Sequence, residues 1–297
     1  MPRGQGRLDV IATPIGNLED LSPRARATLA QADLVAAEDT RHTAQLLAAI
    51  GVSRTMVSLH EHNEHGRIAQ LLAALQQGRH VALVSDAGTP LLSDPGFALV
   101  RAAASAGVEV RAIPGPCAVT AALSVAALPT DRFAFEGFLP AHARERRAAI
   151  ARLARESRTL VFFEAPHRIL ATLEDLAALF GAQRQAAIAR ELTKVHESVY
   201  RGSLAQLLDA ARADPNIERG EITLLVAGAA ALKASAADHE LLVRALELLL
   251  KELPPARAAA IASQLTGATR REAYALALRV HRSASTAPTQ SKRPSDH

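Results

Sequence analysis

Short apolar runs alternate with longer amphipathic segments through the first part of the chain. The runs predicted as strands are Leu8–Ala12, Asp33–Ala37, Met56–Leu59, Val81–Val84 and Val108–Ile113. Helices are predicted after them, at residues 23–31, 43–49, 66–77, 95–106 and a small-residue segment ending at 128. This strand–helix alternation predicts a mostly parallel sheet whose loops gather at one edge.

The pattern restarts after a predicted hinge at residues 128–131, with strands at 133–139, 159–163, 186–190, 198–201 and 221–227. From Gly228 the strands stop, and helices are predicted at 238–252, up to 264, and at 270–280. A Gly-containing turn joins the last two, as in a helix-turn-helix. The predicted organisation is an N-terminal α/β domain (8–128), a second α/β domain (129–229), a helical helix-turn-helix-like extension (236–280) and a disordered tail (281–297).

The composition is that of a globular protein, with 49% apolar and 22% charged residues. Aromatic residues make up only 3%, so the core must consist mainly of Ala, Leu, Val and Ile. No apolar run is long enough to cross a membrane, and the first residues lack the apolar segment of a signal peptide. The single cysteine, Cys117, excludes an intramolecular disulfide and a cysteine-based zinc site. We therefore expect a soluble protein of the reducing cytoplasm.

The positive charge is carried by arginine. The net charge is +4, and of 34 basic residues only four are lysine. Arginine favours bidentate recognition of phosphate and stacking on bases, which predicts a nucleic-acid partner. An arginine and alanine excess is equally explained by codon composition. The densest group lies in the predicted helix that contains Arg144, Arg146, Arg147, Arg152 and Arg155.

The candidate ligand site lies where the apolar run Val81–Val84 ends in Asp, Gly, Thr and Pro. Ligands of α/β proteins bind at such strand ends. The loop contains Asp86 and Asp94 but no Lys or Arg, so it is a poor phosphate cradle and suits a cationic ligand such as a sulfonium-amine cofactor. In the alternative interpretation the two acids only cap and turn the chain, with Asp94-Pro95 opening a helix. No dinucleotide fingerprint or P-loop is present.

Further polar residues follow other strands. Acids and bases stand side by side at Glu38–Arg41 and Glu164–Arg168, where ligand contact and a mutual salt bridge are equally good interpretations. His60, His62 and His65 do not have metalloprotease spacing, and we expect no metal site. Lys194 is the first lysine in a chain that otherwise uses arginine, which favours a titratable amine or compact donor there.

Nine short motifs together resemble the tetrapyrrole methylase superfamily, and within it the branch that acts on small-subunit ribosomal RNA. They are Thr13–Asp20, Glu38–Arg41, Ser85–Pro90, Ser93–Gly96, Pro114–Ala118, Gly137–Pro140, Pro166–Arg168, Arg190–Lys194 and Gly220-Glu221. The resemblance covers residues 8–280. Cys117 and Ala165 stand where relatives usually or often have Ser, so neither hydroxyl is essential in this chain.

The resemblance implies two α/β domains of the tetrapyrrole methylase type with a cofactor cleft between them. It also implies S-adenosylmethionine-dependent 2'-O-ribose methylation of a cytidine in the decoding region of 16S ribosomal RNA, by a homodimer whose C-terminal helices contact RNA. The residues that it assigns to the cofactor are Pro14, Asp86, Gly88, Thr89, Cys117 and Ala118, with Phe162, Phe163, Glu221 and Thr223 from the second domain.

Methyl transfer from a sulfonium depends on positioning, but a ribose hydroxyl is a weak acid and benefits from a base. We hypothesise that Asp39 or His62 is that base and that Lys194 lies beside the acceptor. The candidate substrate-binding residues are Thr40, Arg41, His60, Asn63, Glu64 and Arg168. Arg41, Arg168 and the arginine-rich helix are the candidates for phosphate contact.

Three other interpretations remain open from the sequence. In the first, the chain is a methyltransferase of a tetrapyrrole or another small molecule. The shared fold permits this, because fold does not dictate function. A non-catalytic RNA-binding or assembly protein would keep the basic helices without binding the cofactor. In the third interpretation, the cleft is purely structural.

Overall fold

The structure, a computed structural model, describes residues 6–60, 63–229 and 236–285. Its first sheet contains β1 (Arg7–Ile11), β2 (Leu34–Ala37), β3 (Met56–Ser58), β4 (His80–Val84) and β5 (Glu109–Ile113). All neighbours are parallel, in the order β3-β2-β4-β1-β5. The carboxyl ends of all five strands therefore lie at one edge, and the predicted parallel sheet is confirmed.

Helices cover both faces of this sheet, which is why its central strands are apolar throughout. They are α1 (Pro23–Gln31), α2 (Thr40–Ala49), α3 (Glu64–Gln76) and α4 (Phe97–Ser105). Alternate residues of β4 point to opposite faces: Leu83 packs in the cluster that contains Leu71 and Leu99, whereas Ala82 packs with Leu29 and Leu47.

Three of these helices begin elsewhere than the sequence predicts; α3 begins at Glu64, two residues before the predicted start. α2 begins at Thr40 instead of residue 43, because the Asp39 carboxylate caps it by accepting the Arg41 backbone N–H. α4 begins at Phe97, and its N-cap is Gly96 at φ +118°, a conformation that requires glycine. Asp94-Pro95 therefore does not open that helix, and the Asp94 carboxylate is left for another role.

The second sheet contains β6 (Phe133–Phe138), β7 (Thr159–Glu164), β8 (Gln185–Arg190), β9 (Ser198–Ser203) and β10 (Ile222–Val226). Its order is β6-β7-β10-β8-β9, and only β6 and β7 are parallel. Its helices are α6 (Ala143–Leu153), α7 (Ile169–Phe180) and α8 (Leu204–Ala213), and they pack on one face of the sheet.

The other face of the second sheet packs against α5 (Ala118–Val125), the last helix of the first half. Val119 and Ala122 of α5 join Val161, Ala187 and Leu225 in one apolar cluster. Both sheets thus belong to one compact unit that ends at Ala229. The proposed domain boundary near residue 128 falls just after α5, so this helix would have to separate from the second sheet if the two halves moved apart.

A buried ion pair joins α6 to α7. Arg146 Nε lies 2.8 Å from Asp175 Oδ2, and both side chains are less than one-tenth exposed. Asp175→Ala is expected to lower the free energy of unfolding by about 3–5 kcal/mol, because it leaves the buried guanidinium without its counter-ion. The measurement is a denaturant midpoint. Glu174→Ala is the matched control, since the Glu174–Arg212 pair is half exposed and should contribute less than about 1 kcal/mol.

The C-terminal unit, described by itself, contains α9 (Ala236–Leu249), α10 (Pro255–Thr266) and α11 (Arg270–Ser285) around an apolar cluster of its own. Gly267 ends α10 at φ +74°. α11 continues past the predicted end at residue 280, so residues 281–285 of the predicted disordered tail are helical; the rest of that tail lies outside the described residues. Across the described ranges, no helix combines the length and the apolar character that crossing a bilayer requires.

Candidate active site

The loops that follow β1 and β4 are fastened together at the carboxyl edge of the first sheet. The Thr13 N–H donates to the Gly88 carbonyl at 2.9 Å, and the Gly88 N–H donates back to the Thr13 carbonyl at 3.0 Å. Thr13 Oγ1 also donates to the Ser85 carbonyl at 3.2 Å. Gly88 has φ +78°, which a side chain would disfavour. The two predicted ligand loops therefore form one rigid wall.

A cavity of about 350 Å³ lies between this wall and the second sheet. The first half of the chain lines it with Ile15, Ala87, Gly88, Thr89, Leu92, Ser93, Asp94, Cys117 and Ala118. The second half lines it with Phe138, Phe163, Glu164, Ala165, Pro166, Ala189, Leu192, Gly220, Glu221, Ile222 and Thr223. Its size and mostly apolar wall are typical of a small-molecule site.

Seven of the ten predicted cofactor residues line this cavity, namely Gly88, Thr89, Cys117, Ala118, Phe163, Glu221 and Thr223. Phe162 does not, and this part of the prediction is corrected. Its side chain is fully buried in the core beneath α7, because successive residues of β7 point to opposite faces of the sheet. Phe163, paired with Thr223 across the strands, points into the cavity.

Pro14 and Asp86 lie near the cavity without lining it. Pro14 is half-buried beside the lining residue Ile15. One Asp86 carboxylate oxygen accepts the backbone N–H of Asp39 at 3.0 Å, which ties the end of β4 to the start of α2. Asp86 therefore has a scaffolding contact, and its predicted contact with the cofactor stays a prediction.

The ionisable side chains on the cavity wall are Asp94, Cys117, Glu164 and Glu221, with no Lys, Arg or His among the described lining residues. The Glu164 carboxylate already has three partners. It forms an ion pair with Arg168, accepts a hydrogen bond from the Thr172 hydroxyl at 2.5 Å and accepts another from the Ala165 backbone N–H. Asp94 is half-buried, and burial raises the pKa of its carboxyl; the Ser85 hydroxyl partly offsets this, and the charge of Asp86 adds to it.

The predicted acceptor residues at the start of α2 form a tight local pair. Arg41 Nη2 lies 2.7 Å from Asp39 Oδ2, and the Arg41 side chain is 89% exposed. The guanidinium and backbone N–H of Arg41 hold the pKa of Asp39 far below its usual range. Such a carboxylate is a weak proton acceptor, which disfavours Asp39 as the base. Thr40 lies between them as the first residue of α2, half-exposed.

The loop after β3 is held by its own side chains. Asn63 Oδ1 accepts the His60 backbone N–H at 2.9 Å, and its amide donates to the Ser58 carbonyl at 3.2 Å. Glu64 accepts the Gly96 N–H at 3.2 Å, so it supports the loop that carries Asp94. None of the three lines the cavity, and His62 lies outside the described residues.

Lys194 contacts two acids beside the cavity. Its Nζ lies 2.8 Å from Glu191 and 3.2 Å from Glu221, and its stem lies over Gly16 of the first half. Burial alone would lower its pKa, but the two carboxylates outweigh burial and raise it. Lys194 is therefore a protonated donor that orients Glu221. The loop that bears it has Glu191 and Thr193 at φ +51° and +67°, a strained backbone of the kind found at functional sites.

Arg168, predicted to contact phosphate, is held inside the second half. Its Nε lies 3.0 Å from Glu164 Oε1, and Nη2 donates to the Leu139 carbonyl at 2.6 Å. The side chain is only 18% exposed. Arg168 therefore acts as a brace between β6 and β7, and the salt-bridge interpretation of this motif applies.

Sequence reasoning counted Asp94 among the acids of the candidate ligand loop but gave it no role of its own, and it assigned no role to Phe138. The pattern favoured a helix cap at Asp94. The left-handed backbone of its neighbour Ser93, at φ +69°, has no signature in the sequence. Phe138 reaches the cavity only because of an irregularity in β6. As for metals, no group of three or more His, Cys, Asp or Glu side chains within the described ranges could hold an ion.

Comparisons with known proteins identify the family of this chain. Residues 7–208 match the family of Tetrapyrrole (Corrin/Porphyrin) Methylases, and residues 234–280 match the RsmI C-terminal HTH domain. The chain is 51% identical over 270 residues to a ribosomal RNA small subunit methyltransferase I of Xylella fastidiosa, covering 91% of this chain and 98% of that one. It is 49% identical to the protein of that name from Pseudomonas aeruginosa, covering 92% and 97%.

Among solved structures, a uroporphyrin-III C-methyltransferase from Thermus thermophilus complexed with S-adenosylhomocysteine has the same fold. Its TM-score is 0.51 at 18% identity, and the match covers 75% of this chain and 97% of that one.

Proposed function

The chain belongs to the ribosomal RNA small subunit methyltransferase I family of the tetrapyrrole methylases, and from that premise we propose that it transfers a methyl group from S-adenosylmethionine to 16S ribosomal RNA. The observation that carries the proposal is the cavity between the two sheets, which combines an apolar wall with carboxylates and has no basic side chain among the described residues that line it. A cationic ligand with an apolar body fits this wall, and a phosphorylated one does not.

The residues present fit the cofactor. Gly88 and Thr89 would contact it from the first half, together with Cys117 and Ala118 at the start of α5. Phe163 and Thr223 would cover it from the second half, and Glu221 would offer a carboxylate to its positive charge. When bound, the cofactor supplies an electrophilic methyl group on a sulfonium.

We propose that the acceptor is the 2'-hydroxyl of a cytidine in the decoding region, as the family resemblance implies. The hydroxyl must lose a proton as the methyl group is transferred, and Asp94 is the group that we assign to receive it. Its carboxylate lines the cavity, forms no ion pair with any cation in the part of the chain that the structure describes, and has a raised pKa, which strengthens it as a base. His62 remains the second candidate for this role, and Lys194 a candidate donor beside Glu221.

Ribose-methylation mapping tests the function directly. 16S ribosomal RNA from cells with the gene should carry a 2'-O-methyl cytidine in the decoding region that is absent without the gene, and the purified chain should restore it on small subunits from deficient cells. A non-catalytic RNA-binding protein would show no heat of binding with S-adenosylmethionine in calorimetry. A small-molecule methyltransferase would bind the cofactor and leave the RNA map unchanged.

The arginine-rich helix α6 offers exposed cations for RNA phosphates. Arg144 and Arg152 of α6 are exposed, and so is Arg155, which lies in the turn after α6 and not in the helix as predicted; Arg146 is buried against Asp175 and is excluded from this role. Replacing Arg152 and Arg155 together by Ala is expected to reduce the slope of log K against log salt by about 1–2 for a 16S ribosomal RNA transcript. Arg158→Ala is the control, because Glu156 already neutralises that guanidinium. An unaltered slope in the double variant would remove α6 from the RNA-binding surface.

We also propose that the protein acts as a homodimer in the cytoplasm, on RNA assembled in the small subunit, with its C-terminal helices contacting that RNA. The dimer and the RNA contact of the C-terminal helices are what the resemblance to the family implies. Sedimentation should give about twice the chain mass of 31.4 kDa. A chain truncated after residue 229 should keep cofactor binding and lose affinity for small subunits.

A further inference from the structure

Phe138 presents a large aromatic ring to solvent at the rim of the cavity. Its residue surface is 58% exposed in a chain in which aromatic residues make up only 3%. The ring is tilted against that of Phe163, with centroids 5.6 Å apart, and Phe163 in turn meets Phe135 at 4.8 Å. Phe163 lies deeper in the wall, so the outer ring is the one that a molecule arriving from solvent meets first.

A β-bulge puts Phe138 in this position. Phe135 pairs with Val161, but Gly137 pairs with Phe162 and Phe138 with Phe163, so Glu136 is an extra residue in β6. In a regular strand, Ala134, Glu136 and Phe138 would point to the same face. Without the bulge, Phe138 would therefore point to the face that carries the buried Ala134. Gly137 has φ +65°, which lets the backbone make the bulge. Bulges that re-aim a side chain are common beside active sites.

The same bulge lies beside the loop that carries Asp94. A Cβ on Gly137 would lie 3.3 Å from Ser93 Oγ, so the two segments meet at the cavity rim. Phe138 and Asp94 are the next residues along these segments, and both line the cavity. A nucleotide at this rim could therefore place its base on the ring of Phe138 and its ribose toward Asp94.

We propose that Phe138 is the stacking platform for the base of the acceptor nucleotide. This inference rests on the proposed function. An RNA base that is to be modified on its own ribose has to leave its stacked neighbours, and an aromatic side chain restores that stacking. Stacking on one ring contributes about 5- to 150-fold to binding. The platform accepts any base by its face, so it positions the nucleotide without reading its sequence.

A double-mutant cycle between Phe138 and the acceptor base tests the proposal. Small subunits are reconstituted with 16S ribosomal RNA that carries either the natural acceptor nucleotide or an abasic ribose in its place, and single-turnover kcat/KM is measured. Phe138→Leu is expected to lose about 10- to 100-fold on the natural substrate and less than about 3-fold on the abasic one. Phe138→Tyr, which keeps the ring, should stay within about 3-fold of the wild type.

Two controls make the result specific. Phe133→Leu removes another exposed ring of β6 at the other end of the strand and should leave both substrates unaffected. The affinity of Phe138→Leu for S-adenosylmethionine should equal that of the wild type.

Equal losses on both substrates, or a loss of cofactor affinity, would overturn the platform and leave the methyltransferase intact. A wild-type chain that methylates neither substrate would overturn the proposed function, and the platform with it.

Discussion

Replacing Asp94 by Asn is expected to slow single-turnover methyl transfer by about 10²- to 10⁴-fold, the usual contribution of a positioned general base. Asn keeps the size of the side chain and its ability to accept from the Ser85 hydroxyl, but it cannot take up the ribose proton. The affinity for S-adenosylmethionine should change little, because Glu221 would still offer a carboxylate to the bound cation. The measurement is the rate at saturating small subunits, with cofactor affinity followed by calorimetry.

The pH dependence separates chemistry from structure. A base acts in its ionised form, so the wild-type rate should fall as pH falls through the pKa of Asp94. Because burial raises that pKa, the fall should begin at a higher pH than for an exposed aspartate. In Asp94→Asn this acid limb should disappear. If the limb persists there and disappears in His62→Ala, the base is His62; an unchanged rate in Asp94→Asn removes Asp94 from the chemical step.

A loss of stability should not account for the slower methyl transfer of Asp94→Asn. The raised pKa means that ionised Asp94 is less favourable in the folded state than in the unfolded one, so above the unfolded pKa its charge costs stability. Asn removes that cost, and the denaturant midpoint at neutral pH should stay the same or rise. Asp131→Asn serves as the control, because it makes the same change at an exposed position in the predicted hinge.

The sequence predicted where chemistry lies along the chain better than which side chains take part. The strand ends were readable, because an apolar run that breaks into Asp, Gly and Pro marks a carboxyl edge. The loops at Thr13 and Gly88 indeed meet there. What failed was the choice between neighbouring residues: β7 is apolar on both faces, so nothing in the pattern separates the buried Phe162 from the cavity residue Phe163.

Backbone irregularities account for the remaining differences. Phe138 changes face because one extra residue enters β6, and Asp94 faces the cavity because its loop contains left-handed residues. A single extra residue and a few left-handed residues do not repeat along the chain, so the spacing of apolar residues does not predict them. Arg168 was ambiguous for another reason: an arginine beside a glutamate forms either an internal pair or a ligand contact, and only the buried Glu164 carboxylate decides between them.

Filling the cavity from the first half is expected to abolish cofactor binding. Ala118 is the first residue of α5, half-buried and on the wall of the cavity of about 350 Å³, so the ring of Ala118→Phe would take up part of that space. The affinity for S-adenosylmethionine should fall at least about 100-fold, equivalent to about 2.7 kcal/mol, because the ring occupies volume that the ligand needs. Calorimetry measures the loss, and methyl transfer should fall in parallel.

Thr120→Phe is the matched control, because it adds the same ring to the exposed side of the same helix. It should keep both affinity and rate, which would show that an aromatic residue in α5 is harmless in itself. The two variants together distinguish a cofactor cavity from a purely structural cleft. If Ala118→Phe bound S-adenosylmethionine as tightly as Thr120→Phe and methylated small subunits at the same rate, the cofactor would have to bind elsewhere, and the roles of Asp94 and Phe138 would lose their common site.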